Sequence, residues 1–274
     1  MLYLLSGSQL EKNGQNIFGY FLLFLRGIIA TVIAYIASHC LFRNGVLTVT
    51  LFLTVIQLYD LLHYLLDKNH ESIQTRTLAA FKANIRLVLE FFSVFLGILL
   101  TLVAAFVLFS EATAYLQSES LFIPFRELIT SNHAFFSFPD FITILINNFK
   151  LFLIFFLFSL VFRLGVIFVL AVNATIWASI IATITVNGDF LQLRLLKALL
   201  IISPHMILEV CAYIVCALAG IFLSRALSKY HLLTLNFFKP AETSLVLLLS
   251  GLGLLIIGSF IEAVIAPVVQ TMIL

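Results

Sequence analysis

The sequence predicts an all-α, polytopic transmembrane bundle of about seven spans, on three observations. Of 274 residues, 62% are hydrophobic and only 10% are charged, where a soluble domain needs roughly 25% charged residues to keep its surface wet. Phenylalanine alone fills 29 positions. The apolar residues gather into runs of the length that crosses a bilayer, about 20 residues. A formal net charge of +2 gives no footprint for phosphate, which excludes nucleic acid as a partner. The same composition excludes a disordered chain and a secreted disulfide scaffold.

Four runs qualify cleanly as spans: Ile17 to Leu41, Val46 to Leu66, Leu87 to Ser110 and Ser244 to Pro267. Leu195 to Ser224 is a fifth, interrupted by Pro204. The run from Phe149 to Val186 would make a single helix of about 57 Å, nearly twice the hydrocarbon thickness. It is therefore expected to cross twice or to re-enter, with the polar Asn173 as the natural break. The N-terminus has no basic cluster and no small-residue cleavage site after the first apolar run, so that run is expected to stay as an anchor.

Loop charges set the orientation. The 67–86 connection carries Lys68, Arg76, Lys82 and Arg86, and the 225–239 connection carries Arg225, Lys229 and Lys239 with no acid; both read as cytoplasmic. The loop between them, 111–147, has Arg126 against Glu111, Glu119, Glu127 and Asp140, and reads as external. An odd number of crossings must separate that loop from Arg225, which favours two spans within 149–186 and places the N-terminus in the cytoplasm. The chain divides into a two-span region with its cytoplasmic loop (1–86) and a core bundle (87–274). In the external loop, Pro124 to Thr130 is expected to form a short helix with Pro in its first turn. The aromatic cluster Phe135, Phe136, Phe138 and Phe141 suits the membrane interface or a docking surface.

Polar groups inside apolar runs are the candidates for function, because charge in hydrocarbon is expensive and faces the bundle interior or a partner. Arg26, Arg163, His205, Glu209 and Glu262 are such residues, with Asp60 and His63 nearer a span end. His205 and Glu209 stand four apart, on one helical face. That face continues through Ala212, Cys216, Gly220 and Ser224, small residues that let helices approach closely where lipid offers no hydrophobic drive. Gly251, Gly253 and Gly258, with Ser259 and Ala263, give the last span the same character, for contact within the chain or across a homodimer. Arg163 is expected to join Glu209 or Glu262 in an interior network bridged by His205, with structural packing favoured over an ion path.

The constellations of chemistry are otherwise sparse. Cys40, Cys211 and Cys216 lie in apolar runs without CxxC spacing and read as buried packing thiols. No HExxH, GxSxG or Walker-type loop is present, so neither an enzyme nor ATP hydrolysis is indicated. His205 with Glu209 is too small a set for a metal, and no metal or other cofactor is expected.

Residues 147–267 resemble the stage II sporulation protein M family of membrane proteins. The resemblance rests on Asn147-Asn148 opening a span, Gly165 followed by a span reaching Asn173, Pro204-His205 with Glu209, Gly220, and the closing Glu262 with Pro267. Family members usually have glycine where this chain has Met206 and Ala174, and residues 1 to about 85 match less clearly. The resemblance implies a multi-pass scaffold of the cytoplasmic membrane, surrounded by lipid and holding other membrane or envelope proteins or a second copy of itself. In endospore formers such a protein recruits cell-wall-degrading partners during engulfment; that role is not assumed here. A transporter or channel component with a midplane polar site is the second expectation, and an intramembrane enzyme a weak third.

Overall fold

A computed structural model describes residues 17–42, 45–68, 78–109, 137–162, 165–186, 191–230 and 234–273. Those residues form eight helices and no strand. They are α1 (Ile17–Leu41), α2 (Val46–Gln57), α3 (Tyr59–Lys68), α4 (Leu78–Leu108), α5 (Phe138–Val161), α6 (Gly165–Val186), α7 (Leu191–Lys229) and α8 (Leu235–Ile273). Six are long and apolar enough to cross a membrane; the expected Val46–Leu66 span is divided at Leu58 into α2 and α3, bent by 41°, and makes a seventh only where the pair is counted as one broken span and not as a re-entrant loop. In hydrocarbon, with no water to satisfy a free peptide group, this all-helical solution follows directly from the composition.

The packing directions alternate as successive spans require. Tie points put α1 and α4 side by side and parallel, from Gly27 beside Gly97 to the Tyr35–Phe109 ring pair, 6.1 Å between centroids. α5 and α6 form a hairpin closed by Phe158 against Phe168. α5 and α7 run parallel, tied at Asn148–Glu209 and again where the Cys216 thiol donates to the Phe152 carbonyl at 3.0 Å. α7 and α8 run antiparallel, with Ser244 Oγ donating to the Ala219 carbonyl at 2.7 Å. α6 sits between the two halves, touching α2 and α4 on one side and α5 and α7 on the other.

Two boundaries differ from the sequence expectation. The long run breaks at Phe162–Gly165, not at Asn173. Phe162 takes an extended backbone that ends α5, and the Gly165 amide turns back onto the Phe162 carbonyl at 2.9 Å. Asn173 stays in the helix because its amide donates to the Val169 carbonyl one turn back at 2.9 Å, so it needs no break. α5 also begins at Phe138, with Pro139 and Asp140 in its first turn, positions that suit proline and the positive end of a helix. Asn147 and Asn148 are therefore inside a span instead of opening one. The expected helix at 124–130 and most of the external loop lie outside the described residues.

Close helix approach is made by glycines whose missing Cβ is filled by a neighbour's backbone. A Cβ on Gly27 would lie 2.5 Å from the Val94 carbonyl oxygen, and one on Gly97 would strike the Phe24 carbonyl. A Cβ on Gly220 would lie 2.6 Å from the Phe156 carbonyl, and one on Gly165 would strike Ser159. Such contacts replace the hydrophobic drive that lipid removes.

Candidate functional site

The polar centre of the bundle is built by three helices. The buried face of α5 runs Ile144, Asn148, Phe152, Phe155 and Ser159, at steps of three and four that a helix aligns on one side. Asn148 is its polar member. The Asn148 amide nitrogen donates to Glu209 Oε1 on α7 at 2.7 Å, and to Ser259 Oγ and Glu262 Oε2 on α8, each at 3.2 Å. The Glu209 and Glu262 carboxyls thus share one amide donor. Glu209 is only 4% exposed, Asn148 5% and Ser259 fully buried.

Local sequence explains how a carboxyl reaches this depth. Gly258 leaves room for Glu209: a Cβ there would lie 3.2 Å from Glu209 Cγ. One helical turn beyond Gly258, Glu262 comes round to the same side of α8. Glu209 stands within Ala198–Ser224 of α7, a stretch where it is the sole Asp, Glu, Lys or Arg. By helix rise it is about 18 Å from Lys197 and about 24 Å from Arg225. The cluster thus lies deep in the apolar layer, where an unpaired polar group costs most.

The residues singled out from the sequence separate into groups. Among the described residues, Glu209 and Glu262 come together, joined by Asn148 and Ser259. Arg163 lies outside the described residues. His205 is buried, and its ring stands edge-on to Trp177 of α6 at 5.1 Å between centroids. Its Nδ1 has no hydrogen-bond partner among the described residues. α7 continues through Pro204, whose ring lies on the exposed side of the helix.

The small-residue face of α7 is divided between two neighbours. Ala212 meets Gly251 of α8, where a Cβ would lie 3.1 Å from the Ala212 carbonyl, while Cys216 and Gly220 lie on α5. A Cβ at Gly253 would meet nothing within 4 Å, and the residue faces outward. Asn147 is half-buried beside Asn148. Pro267 is within α8.

Reasoning from sequence used Asn148 as a motif residue and Ser259 as a packing residue, and did not place either with the carboxyls. The signal was the three-four repeat from Ile144 to Ser159, which puts Asn148 on an otherwise apolar inward face. Gly27 and Gly97 were missed as well, because single glycines in separate runs carry no pattern.

Chemically, Asn148 offers two N–H groups to three acceptors. The Ser259 hydroxyl adds one further donor. The arrangement can clamp three helices or hold a proton; among the described residues no group of three or more His, Cys, Asp or Glu converges as a metal would need.

Compared with known proteins, residues 110–267 match the family described as stage II sporulation protein M. No curated protein and no solved structure matches the chain.

Proposed function

This chain belongs to the stage II sporulation protein M family, and from that premise we propose that it is an integral scaffold, a subunit that holds a membrane complex together. Its place is the cytoplasmic membrane, with the N-terminus inside and the 111–147 loop outside. The observation that carries the reading is the closure of the centre. α8 packs so closely on α7 at Gly258 that a Cβ there would lie 3.2 Å from Glu209 Cγ, and the polar groups beside it are spent on one another. A rigid core of this kind suits a platform for partners better than a path for solute, and no residue set in it suggests catalysis.

The test is the state of the full chain extracted in mild detergent. A stable complex, with itself or with other membrane proteins, is the expected result; a clean monomer with nothing bound overturns the reading. A transporter component is the second reading, favoured by the deep Glu209–Glu262 pair, since buried ionisable groups mark transport sites. Under it, Glu209→Gln abolishes flux in liposomes with the fold intact. Under the scaffold reading the same change weakens the fold.

A further inference from the structure

The outer face of α5 carries a lysine where lipid would be. Ile146, Phe149, Leu153, Ile154, Leu157 and Val161 are exposed along one side of the helix, and Lys150 is exposed among them. Its depth is given by the two ties between α5 and α7 on either side of it, Asn148–Glu209 and Phe152–Cys216. Both ties lie in the central part of Ala198–Ser224, so Lys150 is near the middle of the apolar layer. Half of a ~30 Å hydrocarbon core is about 15 Å, more than the four-carbon stem of a lysine spans on its way to the interface. Lys150 has no hydrogen-bond or ion-pair partner among the described residues.

A bare ammonium facing hydrocarbon at this depth is strongly disfavoured, and such residues pair with an acid or face a protein interior. Within the chain the described acids of the spans are directed elsewhere. Glu209 and Glu262 converge on Asn148, on the opposite side of α5, and Glu90 bonds Arg86 at 3.0 Å. A second copy set two-fold against this face would bring lysine to lysine. We infer that the outer face of α5 around Lys150 docks a transmembrane helix of a different protein, one that presents a carboxylate at the depth of Lys150. The apolar stripe supplies the packing surface and the lysine selects the partner. This rests on the scaffold reading and names the chemistry of one partner.

The experiment reconstitutes the full chain in phosphatidylcholine vesicles with single-span Leu/Ala peptides bearing Glu, Gln, Leu or Lys at the centre, association being read by energy transfer. The Glu peptide is expected to associate about fivefold or more tightly than the Leu peptide, the scale of a polar contact between helices in a bilayer. Lys150→Leu removes the preference, Lys150→Arg keeps it, and Lys150→Glu moves it to the Lys peptide. Lys150→Leu exchanges a charge for a lipid-compatible helix former, so its fold is expected to hold. Equal binding of the Glu and Leu peptides, a Glu preference that survives Lys150→Leu, or self-association of the chain through Lys150 each overturns the proposal. A photoreactive residue placed at Leu153 on α5 or at Ile36 on α1, in native membranes, separates the two readings. Adducts at Leu153 that vanish with Lys150→Leu support both. Adducts at Ile36 alone keep the complex and reject this face, and no adduct at either position counts against the complex itself.

Discussion

Gly27 and Gly97 face each other across α1 and α4: a Cβ on either would come within 3.3 Å of the other's Cα. Two helices that pack along their length meet here at a point where both backbones are bare. Neither side chain can be added without separating the pair.

Gly97→Ala is therefore expected to destabilise the full chain by about 1–3 kcal/mol, the usual cost of overpacking. Gly253→Ala is the control. It meets open space and should be neutral or raise stability by up to about 1 kcal/mol, as alanine does for glycine in a helix. Thermal or denaturant unfolding in detergent micelles measures both; equal effects would show that the Gly27–Gly97 contact does not constrain the bundle.

Asn148→Leu removes the N–H groups that serve both carboxyls. Burying acceptors without donors costs about 1–3 kcal/mol, and more where a carboxylate is concerned. A double-mutant cycle of Asn148→Ala with Glu209→Ala should give a coupling of about 0.5–3 kcal/mol. Additive effects would mean that the 2.7 Å contact contributes nothing of its own.

His205→Phe is expected to keep or raise stability. The ring's contact is with Trp177, an aromatic replacement preserves it, and the unpartnered Nδ1 is lost with no hydrogen bond given up. Trp177 is the sole tryptophan of the chain, so a change in its emission reports the substitution directly. A loss of more than about 2 kcal/mol would instead place His205 in a polar network.

Cysteine labelling checks the topology. Cys40 is exposed near the end of α1 and Cys216 is buried. With the N-terminus inside, a membrane-impermeant maleimide should reach Cys40 from outside intact cells and leave a cysteine introduced at Lys229 unmodified. Cys216 should react only after unfolding. Labelling of the Lys229 position from outside would reverse the orientation.

The fold was legible where hydrophobicity alone decides it. The bounds of α1, Ile17 to Leu41, follow from its run of apolar residues, and six of the seven expected spans follow from run length. What periodicity and length do not encode is how a polar group is satisfied. Asn173 was expected to break a helix and bonds the carbonyl behind it. Asn148 was noted as a motif, yet its role depends on α8 returning antiparallel so that Ser259 and Glu262 arrive at its level. Lys150 stood unremarked beside it, since only the packing of α5 shows which side of the helix is left uncovered. Glu209 and Glu262 were recognisable as out of place in apolar sequence, because their position needs no partner to look wrong.

α6 is enclosed on nearly every side, but it must enter the membrane before its neighbours are all present. Its hydroxyls make that possible. Thr175, Ser179, Thr183 and Thr185 each donate to a carbonyl one turn back in the same helix. The segment is thus self-sufficient in bare lipid, able to wait for α7 and α8 to be made without holding an unmet polar group. The central post of the bundle thus carries its hydroxyls already satisfied, which suits a helix inserted in the middle of synthesis and surrounded only at its end.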